Sequence, residues 1–158
     1  AEPRASARPV PGALSRAKRG NQLVAVMFLN LDRLKVVNDR LGHPAGDEVL
    51  RAMAQRLQRL IRPSDTVARV GGDEFVVLAE DVAPPRMAIT MAERLARAVE
   101  APIEVAGQEV VVTASVGVRI TGEVTDTAED LLRDADIAMY HAKNAGGRRA
   151  VEFTAAMG

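Results

Sequence analysis

From Leu23 to Leu31 the chain reads Leu-Val-Ala-Val-Met-Phe-Leu-Asn-Leu, apolar but for Asn30 and free of glycine and proline. So short and continuous a run predicts a strand buried on both faces. Its end delivers Asn30 and Asp32, which share a face of an extended chain. Over residues 46–61, Val49, Leu50, Met53, Leu57, Leu60 and Ile61 recur at helical spacing with Arg51, Gln55, Arg56 and Arg59 between them, an amphipathic helix that Pro63-Ser64-Asp65 ends. Thr66 to Val70 and Glu74 to Leu78 flank Gly71-Gly72-Asp73 and predict a β-hairpin, with the glycines expected to supply positive φ. Pro84 and Pro85 open a second amphipathic helix carrying Met87, Met91, Leu95 and Val99 to near Pro102. Residues 109–120 alternate, with Val110, Val112, Ala114, Val116, Val118 and Ile120 on one face, and predict a single half-buried strand. A last helix runs from Thr127 as N-cap, with Glu129 and Asp130 in its first turn, through Leu131, Leu132, Ala135 and Met139 to Gly146-Gly147. A short strand near 150–153 closes the chain, and Met53, Met87 and Met139 are expected in the core.

The order strand, helix, hairpin, helix, strand, helix, strand implies an α+β fold, a mostly antiparallel sheet of about five strands flanked by helices. Residues 1–12, with three prolines and a glycine, read as a flexible linker or cloning remnant, leaving one domain over 13–158. Hydrophobic residues at 47% of 158 can fill a single core of that size. The 21 basic and 21 acidic side chains cancel, so no overall field draws a polyanion, and nucleic acid is not an expected partner. Aromatics at 3% also argue against stacking single-stranded bases. The chain has no cysteine, no apolar run long enough to cross a bilayer and no apolar stretch of a signal peptide near its arginine-rich start. A cytoplasmic protein is expected.

A Gly-Gly-Asp turn is by itself ordinary hairpin chemistry. Followed by Glu74, it sets two carboxylates where bare backbone lets a phosphate approach. Upstream, Asn38-Asp-Arg-Leu-Gly42-His43-Pro-Ala-Gly46-Asp47 supplies an amide and carboxylates in a glycine-marked segment expected between two helices. An amide offers donor and acceptor, and a carboxylate accepts from adjacent N–H groups, the pattern of guanine's Watson–Crick edge.

With these stand Asn30-Leu-Asp-Arg-Leu-Lys35, Ser115-Val-Gly117 and Ala135-Asp136-Ile-Ala-Met139-Tyr140-His-Ala-Lys143. In this order the five stretches resemble the GGDEF family of diguanylate cyclases over roughly residues 13–153. The resemblance implies a fold like the palm of nucleotidyl cyclases and polymerases, and condensation of two GTP into cyclic di-GMP and pyrophosphate with Mg2+ or Mn2+. It implies a homodimer, since each domain would bring one GTP. Asp73 is then implied as a metal ligand, Glu74 as a second ligand or general base, and the backbone carbonyl of Leu31 as a further ligand. Asn38 and Asp47 become guanine readers, Gly71 and Gly72 part of the substrate turn, Lys35 and Lys143 phosphate contacts, and His43 an edge of the pocket. Arg62-Pro-Ser-Asp65, separated from Gly71 by five residues, matches the family's product-inhibition site for cyclic di-GMP, to which Arg94 adds a second arginine. Such domains are often fused to a sensor or a cyclic di-GMP phosphodiesterase domain.

Two positions depart from the family pattern. Asn30 stands where a metal-binding aspartate is usual and still offers its amide oxygen as a ligand, but without the charge, so metal binding is expected to weaken; Gly147 stands where an arginine usually meets phosphate, with Arg148 and Arg149 adjacent to substitute. These departures leave a second reading, a domain that binds GTP or cyclic di-GMP and regulates a neighbour without catalysis. A palm-like enzyme for another nucleotide is disfavoured by Asn38 and Asp47.

Overall fold

The computed structural model describes residues 22–122 and 126–157, together with positions 12, 15 and 16. The linker expected over residues 1–12 therefore falls, but for one position, outside the described residues. Strand β1, Val24–Asp32, is buried along its length as its apolar run requires, and lies at the middle of a five-stranded sheet. Its neighbours are β3 (Glu74–Glu80) and β6 (Thr113–Thr121), both antiparallel. Strand β2 (Thr66–Arg69) pairs antiparallel with β3, and β7 (Arg149–Glu152) pairs parallel with β6, giving the order β2-β3-β1-β6-β7.

Within residues 22–157, as far as they are described, four helices flank this sheet: α1 (Leu34–Leu41), α2 (His43–Leu60), α3 (Arg86–Val99) and α4 (Ala128–Asn144). Odd-numbered positions of β1, from Ala25 to Leu31, join a core with Val49, Met53 and Leu57 of α2 and Ala92, Leu95 and Val99 of α3. Even-numbered Val24, Val26 and Phe28 face α4 through Leu131, Ala135 and Met139. Two apolar layers thus enclose an α+β sheet, mostly antiparallel as expected. Arg56 of α2 donates to the carbonyls of Ala98, Val99 and Ala101 and so satisfies the C-terminal end of α3. At the start of α4, Thr127 Oγ1 accepts from the Asp130 N–H, and the Asp130 side chain accepts from the Thr127 N–H. A hydrogen bond from the Thr127 side chain to the Asp130 carboxylate, followed by the one from the Thr127 N–H, holds that carboxyl below its ordinary pKa. No helix of the described residues is long and apolar enough to cross a membrane.

The structure corrects four details. The strand expected over 109–120 is two: β5 (Gln108–Val110) folds onto β4 (Ile103–Val105) as a separate hairpin, and β6 begins at Thr113. Nor is β6 half-buried, because Ser115 and Gly117, on the face opposite Val116, lie beneath α4. The glycine-marked segment expected between two helices is itself almost all helical, with Asn38 in α1, Asp47 in α2 and only Gly42 between. Gly42 has φ +91°, a conformation that suits glycine and lets one helix follow another without a loop. Met87, expected in the core, is 38% exposed, its place taken by Ala88 and Ala92.

Candidate nucleotide site

Strand alternation sets the turn's chemistry. Glu74 and Phe75 are adjacent in β3, so their side chains take opposite faces; Phe75 is fully buried in the α2–α3 core, and Glu74 lies beside Asn30 on the other face. Two backbone bonds pin the turn: the Val70 N–H donates to the Glu74 carbonyl at 3.0 Å, and the Leu31 N–H to the Asp73 carbonyl at 2.9 Å. Neither Gly71 nor Gly72 has positive φ, so that expectation fails, and the reason for glycine is room. A Cβ on Gly71 would stand 2.6 Å from Glu74 Oε1, whereas one on Gly72 would meet nothing within 4 Å. Gly71 therefore lets the Glu74 carboxylate fold over the turn, and Gly72 presents bare backbone.

Beside the turn a cleft of about 450 Å³ is lined by Lys35, Asn38, His43, Asp47, Gly72 and Asp73, six positions singled out from the sequence. Helix α1 brings Lys35 and Asn38, and α2 brings His43 and Asp47. Asn38 Oδ1 is buried without a hydrogen-bond partner, a condition that costs free energy unless a ligand relieves it. Gly46 explains how that side chain fits, since a Cβ there would lie 1.8 Å from Asn38 Oδ1.

Arg69, also on the cleft wall, went unnoticed in the sequence. Its Nε donates to the Gly71 carbonyl at 3.0 Å and its Nη2 to the Gly72 carbonyl at 2.9 Å, a two-pronged brace on the turn. An arginine two residues before a glycine pair is a signal only once the direction of those carbonyls is known. Arg69→Ala should leave the melting temperature within a few degrees while weakening nucleotide affinity roughly tenfold, since the turn loses two restraints to a charged donor. Titration with a guanine nucleotide checks this, and unchanged affinity would show the brace to be idle.

At the strand ends, Asn30 Oδ1 accepts from Lys143 Nζ at 2.7 Å. Asp32, on the same face as expected, accepts from Thr113 Oγ1 and Ser115 Oγ, each at 2.9 Å. Thr113 was not singled out in the sequence, and Ser115 only as part of a family stretch without a role; both roles depend on the β1–β6 register, which pairs them with Asp32 and Asn30.

The whole arrangement, a glycine-aspartate-glutamate turn beside a cleft walled by two helices, coincides with a known family. The family described as "Diguanylate cyclase, GGDEF domain" matches residues 9–149. The chain belongs to the GGDEF family.

It is 43% identical over 149 residues to the diguanylate cyclase TpbB of Pseudomonas aeruginosa, covering 90% of this chain and 34% of TpbB. It is 41% identical over 134 residues to MucR of Pseudomonas aeruginosa, a bifunctional diguanylate cyclase/cyclic di-GMP phosphodiesterase, covering 85% of this chain and 19% of MucR. The chain thus spans only about a third of TpbB and less of MucR. The solved GGDEF domain of TpbB superposes with a TM-score of 0.90 at 38% identity, over 96% of this chain and 88% of that one. That of DgcB from Caulobacter crescentus, in complex with c-di-GMP, gives 0.83 at 26% identity, over 92% of this chain and 86% of that one.

This GGDEF domain holds its other candidate residues outside the cleft. Arg62 and Arg94 line one groove of about 410 Å³ between the end of α2 and α3. Asp65, its side chain fully buried, accepts from Arg62 Nε at 2.9 Å and Nη2 at 3.0 Å, and Arg62 Nη2 also donates to the Glu80 carbonyl at 2.6 Å. These bonds to Asp65 raise the Arg62 pKa above its ordinary value against the opposing effect of burial. Both arginines beside Gly147 are engaged elsewhere. Arg148 is forked onto Glu100 at 2.8 and 3.1 Å, and Arg149 Nε donates to the Gly147 carbonyl. Gly147, at φ +71°, lies so close to Asp32 that a Cβ would be 2.8 Å from its Oδ2. A side chain at that position is strained here whatever its chemistry.

Proposed function

We propose that this domain binds GTP in the cleft beside the turn, and that two copies facing each other condense two GTP into cyclic di-GMP and two pyrophosphates. What carries the reading is the convergence of Lys35, Asn38, Asp47 and Asp73 on one cleft in a domain of the GGDEF family. Asn38 Oδ1 accepts from guanine, which satisfies a buried acceptor, and Asp47 accepts from its adjacent N–H donors. Lys35 and Lys143 contact the phosphates, which pass the open backbone of Gly72.

Glu74 accepts the proton of the 3′-hydroxyl, whose oxygen bonds to the α-phosphorus of the facing GTP. The bond from that phosphorus to the bridging oxygen breaks, pyrophosphate leaves, and a second such step closes the ring. No group of three or more His, Cys, Asp or Glu is arranged to hold a metal among the described residues. Asp73 and Glu74, with the Leu31 carbonyl and the triphosphate, still offer the oxygen donors that Mg2+ or Mn2+ takes when it arrives with a nucleotide. A cation so bound neutralises charge on the triphosphate and favours ionisation of the attacking hydroxyl. GTP as substrate fits a cytoplasmic domain, and MucR supports a fused phosphodiesterase neighbour, a sensor being the other expected one. The test is incubation of purified domain, concentrated enough to dimerise, with GTP and Mg2+ or Mn2+, followed by chromatography for cyclic di-GMP. No product with GTP binding intact would establish the second reading, a non-catalytic nucleotide sensor, which the Asn30–Lys143 bond favours.

The groove of Arg62 and Arg94, with buried Asp65 holding Arg62 from behind, binds cyclic di-GMP as product and inhibitor, guanidinium groups being suited to bidentate phosphate contacts and to stacking on guanine. The c-di-GMP complex of the DgcB GGDEF domain supports binding of this ligand by a domain of this fold. Arg62→Ala should abolish calorimetric binding of cyclic di-GMP. It should also cost about 1–3 kcal/mol in urea unfolding, because buried Asp65 loses its charged partner while keeping N–H donors. Equal affinity in variant and wild type would rule the groove out.

A further inference from the structure

Three arginines, not two, line the groove between α2 and α3: Arg86, in the first turn of α3, stands there with Arg62 and Arg94. Arg62 is largely committed within the domain. Its Nε and Nη2 are held by Asp65 and the Glu80 carbonyl, which leaves Nη1 for a ligand. The side chains of Arg86 and Arg94 make no hydrogen bond or ion pair among the described residues. In the same groove Met87, 38% exposed, and Met91, half-buried, lie one helical turn apart. Two polarisable thioethers so placed form a floor that suits the face of an aromatic base.

Cyclic di-GMP brings two phosphodiesters and two guanines. Arg62 and Arg94 match the phosphates in number, so a third guanidinium has no anion left to meet, while the bases still need a reader. Asp65 is not that reader. Its side chain is fully buried, Oδ1 accepts from Arg62 Nη2 and the Glu80 N–H, and Oδ2 accepts from the Arg62 N–H and Nε. No carboxylate of the described residues lines the groove, so the N–H donors of guanine's Watson–Crick edge find no acid there. The opposite edge presents two acceptors, O6 and N7, which a guanidinium binds with two N–H groups at once; adenine carries an amino donor in place of O6. We propose that Arg86 reads the O6 and N7 edge of a guanine seated on Met87 and Met91, and so makes this groove select cyclic di-GMP over adenine-containing cyclic dinucleotides. The inference rests on the cyclic di-GMP reading of the groove and adds to it the residue that tells guanine from adenine.

Calorimetric titration with cyclic di-GMP and with cyclic di-IMP, whose bases keep O6 and N7 but lack the guanine amino group, tests it, together with displacement by cyclic di-AMP. Wild type should bind the first two within about threefold of each other and cyclic di-AMP at least about tenfold more weakly. Arg86→Ala should lose at least about fivefold toward both cyclic di-GMP and cyclic di-IMP, and less than about twofold toward cyclic di-AMP. Its melting temperature should match wild type, because this guanidinium holds nothing within the domain. Arg97→Ala, exposed on the same helix but outside the groove, is the control and should bind as wild type does. An Arg86→Ala protein that binds cyclic di-GMP like wild type would overturn the proposal and leave the groove reading standing. So would equal weakening toward cyclic di-GMP and cyclic di-AMP, which would make Arg86 a mere charge, or a wild type that binds cyclic di-IMP as poorly as cyclic di-AMP. No binding of cyclic di-GMP to wild type would bring down the groove reading, and the proposal with it.

Discussion

Replacing Gly117 by alanine is expected to destabilise the domain by about 3 kcal/mol or more, a large part of the roughly 5–15 kcal/mol typical of a whole domain. The cause lies in how α4 seats on the sheet. Helix α4 presents Ala135, Ala138 and Ala142, all fully buried, to β6, and small residues on both sides bring the two backbones together. A Cβ on Gly117 would stand 2.0 Å from the Ala135 carbonyl oxygen and 2.2 Å from the Met139 nitrogen. Both atoms belong to helix backbone, so no rotamer change relieves the overlap. The helix must back away by more than an ångström, opening gaps around Leu131 and Met139 and drawing Lys143 off Asn30. Urea unfolding measures the effect. Gly72→Ala, whose Cβ meets nothing within 4 Å, is the control and should fall within about 0.5 kcal/mol of wild type. A Gly117→Ala protein as stable as that control would mean that the helix tolerates a wider spacing and that Gly117 is not needed for the seat.

Gly117 also shows where sequence reading runs out. As part of Ser115-Val-Gly117 it marked the family, yet its physical reason, the approach of a helix whose first residue is eleven positions further on, belongs to tertiary packing. The long periodic segments, β1, α2, α3 and α4, were legible because burial repeats many times along each. Helix α1 was not, because its eight residues, Leu-Lys-Val-Val-Asn-Asp-Arg-Leu, bury only Leu34 and Val37. The three-residue strands β4 and β5 carry too few positions for any period, so alternation ran on from β5 into β6. In the site, residue types were readable and their partners were not. Lys143 meets Asn30 across 113 residues of chain, and Asp32 meets Ser115 across 83, through a register that no local pattern states. Arg148 looked available to the cleft until Glu100, at the end of α3, was found to hold it.

Gly46→Ala should do the reverse of Gly117→Ala, leaving stability nearly unchanged and weakening the binding of guanine nucleotide. Here the added Cβ meets a side chain, standing 1.8 Å from Asn38 Oδ1 and 2.8 Å from its Cγ, and a side chain can rotate. Alanine is also the better helix former within α2, which offsets what the displaced amide loses by about 1 kcal/mol. The melting temperature should therefore stay within a few degrees. Asn38, however, is forced from the place where its buried oxygen waits for a donor, and a cleft built to hydrogen-bond a base loses at least about tenfold in affinity without that bond. The loss should fall on guanine: affinity for GTP drops to that for ATP, because the contact removed is the one that distinguishes their base edges. Titrating wild type and variant with both nucleotides reads this directly. Equal weakening toward GTP and ATP would mean that the cleft merely narrowed. Retained GTP preference would mean that Asn38 is not the base reader, and the assignment of this cleft to guanine would have to rest on Asp47 alone.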